Sequence, residues 1–205
     1  MKRIFVTGIS TDGGKTIAAA IITESLKADY WKPVQAGDLS NSDSHKVAEL
    51  VSNEKTVIHK SSYELNTPMS PHAAADIDNI EIDLNQIIEP KTTNHLVIEG
   101  AGGLLVPLNE KDTILDIIKS NYLIIVVSRH YLGSINHTLL TIESLKQKGF
   151  KVAVIFSGNE HHSTEDIILK KTEVKVIGRI NEEPGFDKSL IKQYATKFYP
   201  MLQNI

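Results

Sequence analysis

Short runs of aliphatic and β-branched residues punctuate the chain. They are Ile4-Phe5-Val6-Thr7, Leu96-Val97-Ile98-Glu99, Leu123 to Val127, Val152-Ala153-Val154-Ile155-Phe156 and Val174-Lys175-Val176-Ile177. Most are continuously apolar rather than alternating, the pattern of strands covered on both faces. Asp29-Tyr30-Trp31 reads as one further strand. Between the runs, apolar spacing predicts helices over 16–27, 43–51 and 134–148, with a short one over 112–119. In 134–148, Ile135, Leu139, Ile142 and Leu145 share a face, and Gly149 follows as a C-terminal cap. Residues 52–82 read as loop with some extended structure. Strands alternating with helices predict an α/β fold, a mostly parallel sheet with helices on both faces and right-handed crossovers. Ligands of such sheets bind at the carboxyl ends of the strands. Three polar motifs directly follow strands: Gly8 to Thr16, Lys32-Pro33 and Glu99 to Gly103.

Length and charge narrow the class. A chain of 205 residues suits one domain over 1–205. With 41% hydrophobic and 23% charged residues the composition is that of a soluble globular protein, and it argues against disorder. The formal charge is −3, and no lysine or arginine cluster stands ready to neutralise a row of phosphates, so nucleic acid is not an expected partner. The longest purely apolar run, Tyr122 to Val127, falls far short of the roughly 20 residues of a membrane helix. The opening residues break into a glycine turn, unlike a secretory signal, so a cytoplasmic location is expected. With no cysteine, disulfide and thiol chemistry drop out. The histidines form no metal-like cluster.

The chemistry gathers in Gly8-Ile9-Ser10-Thr11-Asp12-Gly13-Gly14-Lys15-Thr16. Glycines let backbone N–H groups converge on phosphate oxygens, and the following helix turns its positive end toward them. Lys15 supplies a mobile charge and Thr16 a hydroxyl for Mg²⁺. Five residues separate Gly8 from Gly14, where the usual phosphate loop has four before its Gly-Lys-Thr. Glu99, at the end of an apolar run and before three glycines, is placed to reach the same metal across the sheet. Asp43 has a plainer alternative, because Ser40-x-x-Asp43 matches a capping box; a residue at a helix start can do both. Lys32 sits where Pro33 fixes the backbone at a strand end. Gly133-Ser134-Ile135-Asn136 opens the clearest helix, a seat for an anion or a simple N-cap.

Taken together these residues resemble the dethiobiotin synthetase family. The shared features are the five-residue spacing of the loop, Lys32-Pro33-Val34-x-x-Gly37, Asn41-Ser42-Asp43, Ser70-Pro71-His72, Glu99 to Gly103, and Leu132-Gly133-x-Ile135-Asn136-His137. The resemblance runs in order from residue 3 to about 160. It implies a P-loop fold that binds ATP and Mg²⁺, the metal held by Thr16, Asp43 and Glu99. It implies nucleotide contacts from Asp12, Gly13, Gly14, Lys15, Thr16, Ile17, Gly100, Ala101 and Gly102, with Asn159 reading adenine. The absence of an Asn-Lys-x-Asp motif gives guanine no support. The resemblance gives Lys15, Lys32 and Thr11 catalytic roles, and the diamine substrate Lys32, Ala36 and Ser70. It implies a homodimer in which Gly133, Ser134, Ile135 and Asn136 of one subunit take the carboxylate of a substrate bound mainly to the other. The reaction implied is carboxylation of 7,8-diaminopelargonic acid with CO₂ through a carbamate, phosphorylation of that carbamate by ATP, and ring closure with loss of phosphate.

Two departures stand out. Ala36 replaces a serine or threonine of some members, so one substrate hydrogen bond is missing or is supplied by Gln35. Gly178-Arg179-Ile180-Asn181 lacks a proline expected in the adenine-side loop. The alternatives are a nucleotide-switch ATPase of the partitioning type, whose additional signature lysine has no counterpart among Ser10, Thr11 and Asp12, and an amide-forming ligase acting on cobyrinic acid.

Overall fold

The computed structural model describes residues 1–11 and 13–205, so Asp12 lies outside the described residues. Its frame is a sheet of seven parallel strands, in which each apolar run of the sequence finds its place. In chain order the strands of the structure are β1 (Arg3–Gly8), β2 (Asp29–Trp31), β3 (Val34–Ala36), β4 (Ile58–His59), β5 (Tyr63–Leu65), β6 (Leu96–Gly103), β7 (Leu123–Arg129), β8 (Lys151–Ser157) and β9 (Lys175–Ile180). The large sheet runs β4-β2-β6-β1-β7-β8-β9, and β3 pairs with β5 in a small parallel annex. The α-helices are α1 (Lys15–Leu26), α2 (Asp43–Leu50), α3 (Pro71–Asp78), α4 (Ser134–Gln147), α5 (His162–Thr172) and α6 (Lys188–Gln203).

Alternate residues of each strand point to opposite faces, and two cores result. Ile4, Val6, Val97 and Ile125 pack under α1, α2 and α6, whereas Phe5, Ile98, Ile124 and Val126 pack under α3, α4 and α5. Both faces being covered explains why the strands read as unbroken apolar runs. The chain passes from β1 to β2 on one side of the sheet, returns to β6 beside β1, and continues with β7 on the other side. The strand order thus reverses around β1, and the carboxyl end of β1 opens the crevice where such sheets bind ligands.

Several expectations need correction. Residues 112–119 contain only a 3-10 turn, Ile114–Ile117, because Thr113 and Asp116 cap each other reciprocally and Ile118 is already extended. The stretch 52–82 holds β4, β5 and a true helix, α3, which starts on Pro71 and ends on a left-handed Asn79. The helix at Asp43 is capped by Ser42 with His45, so the cap is not built from Ser40 and Asp43. Glu99 lies within β6 rather than at its end, since the strand continues to Gly103. Among the described residues, no helix is long and apolar enough to cross a membrane.

Candidate active site

The loop after β1 is shaped by backbone demands. Gly14 sits at φ +85° as the residue before α1, and a Cβ there would stand 2.9 Å from Ser157 Oγ. Only glycine meets both conditions without strain. From that start α1 directs its N-terminal N–H groups into the crevice. Lys15 follows, its side chain folded back so that Nζ donates to the Ser10 carbonyl at 3.0 Å. The lysine is buried, held over its own loop.

Opposite the loop, three elements bring together charges that are remote in sequence. Lys32, just past β2, places Nζ 2.6 Å from Asp43 Oδ2 and 3.2 Å from Glu99 Oε1. Thr16 Oγ1 donates to the same Glu99 oxygen at 2.9 Å, and Tyr30 OH donates to the other, Oε2, at 2.8 Å. Burial alone would depress the Lys32 ammonium, but the charges of Glu99 and Asp43 outweigh it and hold the group above its usual 10.5. Burial likewise works to raise Asp43, and Lys32 overcomes it, leaving that carboxyl below its usual 3.8. Both carboxylate and ammonium stay charged at neutral pH.

Position here depends on supporting contacts. Gln35 accepts from the Asp43 N–H at 3.2 Å and donates to the Gly37 carbonyl at 2.9 Å, so both ends of its amide are used in holding the start of α2. Gln35 thus helps to hold the start of α2 while also lining the cleft beside Ala36. Gly37, at φ +71°, lets the chain pass Pro68 so closely that a Cβ would be 2.4 Å from it. This contact brings the loop before α3, with Ser70, to the same side of the crevice.

The result is a cleft of about 1010 Å³. Thr11, Gly13, Gly14, Lys15, Thr16 and Ile17 line one part of it, and Lys32, Ala36, Asp43, Ser70, Glu99, Ala101 and Gly102 are among the residues that line the remainder. Gly100 is placed otherwise: a Cβ on it would meet Phe5 and Ile114, so it faces the core. Asn159 and the group Gly133 to Asn136 do not line this cleft within one chain. Gly133 is the left-handed residue before α4, with Ser134 as the first helical residue and itself buried. Sequence reasoning missed three contributors. Tyr30 was read only as a strand residue, Gln35 only as a substrate contact, and Phe186, which enters the cleft from the segment between β9 and α6, carried no motif at all.

Thr16, Asp43 and Glu99 suit a hard divalent cation. They offer one hydroxyl and two carboxylates, and an ammonium already lies between the two acids as a stand-in positive charge. Among the described residues no group of three acids or histidines forms a metal cage. Mg²⁺ is commonly held in this fashion, by one or two carboxylates completed by substrate phosphates and water.

A glycine-rich loop from the first strand to a helix, closed by Lys-Thr and faced by an acid on the neighbouring strand, defines a P-loop nucleotide-binding protein. The AAA domain family model matches residues 2–189. Sequence relatives make the assignment narrower. The chain is 60% identical over 205 residues to the ATP-dependent dethiobiotin synthetase BioD of Christiangramia forsetii, covering 100% of this chain and 99% of that one. It is 46% identical over 202 residues to the protein of the same name from Cytophaga hutchinsonii, covering 97% and 98%. The chain belongs to the dethiobiotin synthetase family. Among solved structures, a putative plasmid partition protein from Borrelia burgdorferi bound to AMPPNP aligns with TM-score 0.63 at 16% identity, covering 100% of this chain and 99% of that one. The MinC:MinD cell division complex of Aquifex aeolicus gives TM-score 0.60 at 16% identity, covering 100% and 96%. At that identity the likeness is one of fold alone.

Proposed function

We propose that residues 1–205 act as one catalytic unit that converts 7,8-diaminopelargonic acid, CO₂ and ATP to dethiobiotin, ADP and phosphate in the cytoplasm. Membership of the dethiobiotin synthetase family supports the reaction. The observation that carries the reading of the site is the placement of Lys15, Thr16 and Lys32 in one cleft, with the Lys32 ammonium between Asp43 and Glu99.

The chemistry demands such an arrangement. One substrate amine attacks CO₂ and loses a proton, giving a carbamate. A carbamate oxygen attacks the γ-phosphorus as the bond to ADP breaks, and a carbamic-phosphoric anhydride results. The second amine then attacks the carbonyl carbon, phosphate leaves, and the ring is closed. In the phosphoryl step both reactants are anions, so the main barrier is charge repulsion and the remedy is positive charge fixed in place. Lys15 neutralises the terminal phosphate. Lys32 neutralises the carbamate, and Thr11 stands beside the transferred group. The segment from Gly13 to Ile17 holds the phosphates, with Asp12 next to it in sequence. Mg²⁺ on Thr16, Asp43 and Glu99 would screen the β- and γ-phosphate oxygens. Ala36 and Ser70 border the diamine.

Gly133, Ser134, Ile135 and Asn136 belong to the same reading through a homodimer. They are outside the cleft of their own chain, and two leucines of the same segment are exposed: Leu132, which precedes Gly133, fully so, and Leu140 on α4. A second copy would cover these leucines and bring the α4 start to the substrate carboxylate. Asn159 and Phe186 are assigned to the adenine side.

The test is phosphate release in the presence of ATP, Mg²⁺ and bicarbonate, with and without the diamine. Diamine-dependent release accompanied by dethiobiotin is expected. Release that is unchanged when the diamine is omitted refutes the synthetase reading. For the shared site, mixing Lys15→Ala subunits with Asn136→Ala subunits restores partial activity; no recovery would refute it.

A further inference from the structure

The oxygens assigned above to a divalent cation are already holding a different cation. Lys32 Nζ lies 2.6 Å from Asp43 Oδ2 and 3.2 Å from Glu99 Oε1, and Thr16 shares that Glu99 oxygen. The other Glu99 oxygen is taken by Tyr30, so Oε1 is the one facing the cleft. Asp43 Oδ1 has Lys46 at 3.8 Å, a longer contact that adds to the pull of Lys32 on this carboxyl.

An ammonium on these two acids and a divalent ion on the same oxygens repel each other at close range, with little water between them to screen the charge. Mg²⁺ also takes carboxylate oxygens at about 2.1 Å, and the cleft-facing Glu99 Oε1 is already shared by Lys32 and Thr16, so metal and ammonium compete for it. We infer that Lys32 is the resident cation of the metal site in the empty enzyme, and that a divalent ion entering with nucleotide expels it and so releases it to the substrate.

The surroundings decide where the ammonium goes. β2 is locked into the sheet up to Trp31, which pairs with Ile98, and Pro33 fixes the backbone immediately after Lys32. Only the side chain is left to move. It already lines the cleft that also holds Ala36 and Ser70, and a swing about its own χ angles carries the charge there. The lysine that neutralises the carbamate is thus withheld until metal and nucleotide are loaded. The parked position also sets a positive charge between the two acids before substrate arrives.

This inference rests on the reading that Thr16, Asp43 and Glu99 bind the metal, and the experiment separates the two. The full-length enzyme is saturated with ADP, and Mn²⁺ binding is followed by electron paramagnetic resonance in wild type and Asp43→Asn. In parallel, acetylation of wild-type lysines by N-hydroxysulfosuccinimidyl acetate is followed by peptide mass spectrometry with Mn²⁺ or with chelator. Exposed Lys60 serves as the reference for reagent reactivity. The expected result is Mn²⁺ binding that is weakened in Asp43→Asn, together with Lys32 acetylation that rises about tenfold when Mn²⁺ is present, as follows when the metal strongly prefers the released state. If Mn²⁺ binding depends on Asp43 but Lys32 acetylation stays flat or falls, the exchange is overturned and the metal site stands. Mn²⁺ binding indifferent to Asp43→Asn would remove the metal site, and the exchange with it.

Discussion

Replacing Tyr30 with phenylalanine isolates one hydrogen bond at the centre of the site. Tyr30 is fully buried, and its hydroxyl donates to Glu99 Oε2 at 2.8 Å. Burial, followed by the charge of Glu99, pushes its pKa well above the usual 10, so the hydroxyl is a neutral donor throughout the working pH range. Phenylalanine keeps the ring and its packing and removes the donor alone. A hydrogen bond to a charged group contributes about 1.5–3 kcal/mol. Glu99 retains Thr16 and Lys32 on its other oxygen, which places the expected loss near the middle of that range, about 2 kcal/mol. Urea unfolding should show the midpoint falling with the slope unchanged, since no extra surface is exposed. For a chain of this size that loss corresponds to a drop of about 4–8 °C in Tm. In a double-mutant cycle with Glu99→Gln, the two losses should fall short of additivity, with a coupling of about 1 kcal/mol or more. A Tyr30→Phe variant within about 0.5 kcal/mol of wild type, the spread of an ordinary surface change, would refute the claim that this bond holds Glu99.

Three further outcomes follow from other contacts. Glu89, bound by Arg3 at 2.6 Å, Tyr122 at 2.7 Å and Lys119 at 2.8 Å, is held near 2 against an ordinary 4.5, these partners overcoming its burial. Its contribution to stability is therefore complete above pH 4.5 and lost as pH falls toward about 2; Glu89→Gln should flatten the stability–pH curve in that window, and an unchanged curve would count against it. Gly14→Ala should cost about 1–2 kcal/mol in stability because of its φ of +85°, and should abolish fluorescent-nucleotide binding because the new Cβ would crowd Ser157 Oγ; nucleotide binding of wild-type strength would contradict the loop geometry. Phe186→Ala should raise KM for ATP several-fold with kcat little changed, as expected when a group binds ground and transition states alike; equal falls in kcat and kcat/KM would move Phe186 out of the nucleotide side.

The parts of the site that were legible in the sequence are those whose chemistry is local. A phosphate loop is a run of consecutive residues whose backbone N–H groups do the binding, so glycine spacing and Lys15-Thr16 announce it directly. Lys32, Asp43 and Glu99 were visible as individual charges, but their union was not, because it depends on β2 lying beside β6 with Trp31 paired to Ile98. The same registry, Tyr30 opposite Val97, carries the Tyr30 hydroxyl to Glu99. Nothing in Asp29-Tyr30-Trp31 distinguishes that ring from any other core aromatic.

The C-terminal third was obscured for different reasons. α5 carries mostly polar residues, and its buried face is made of Thr164, Glu165 and Thr172 with Ile168, so its apolar stripe is too narrow to announce a helix. α6 has a good stripe in Ile191, Tyr194, Ala195, Phe198 and Leu202, but Pro200 falls inside it. Proline normally ends a helix by removing an N–H and crowding the preceding turn. Here it lies one turn from the helix end, and Lys2 Nζ donates to the carbonyls of Leu202 at 2.6 Å and Gln203 at 3.1 Å. A side chain from the start of the chain thus satisfies acceptors that α6 leaves open at its end. Helix caps are usually sought a few residues away in sequence, and this one is some 200 residues distant. The same limit applies at the active site: the side chain that balances Asp43 and Glu99 is identified by strand order, and strand order is a property of the folded sheet rather than of any segment within it.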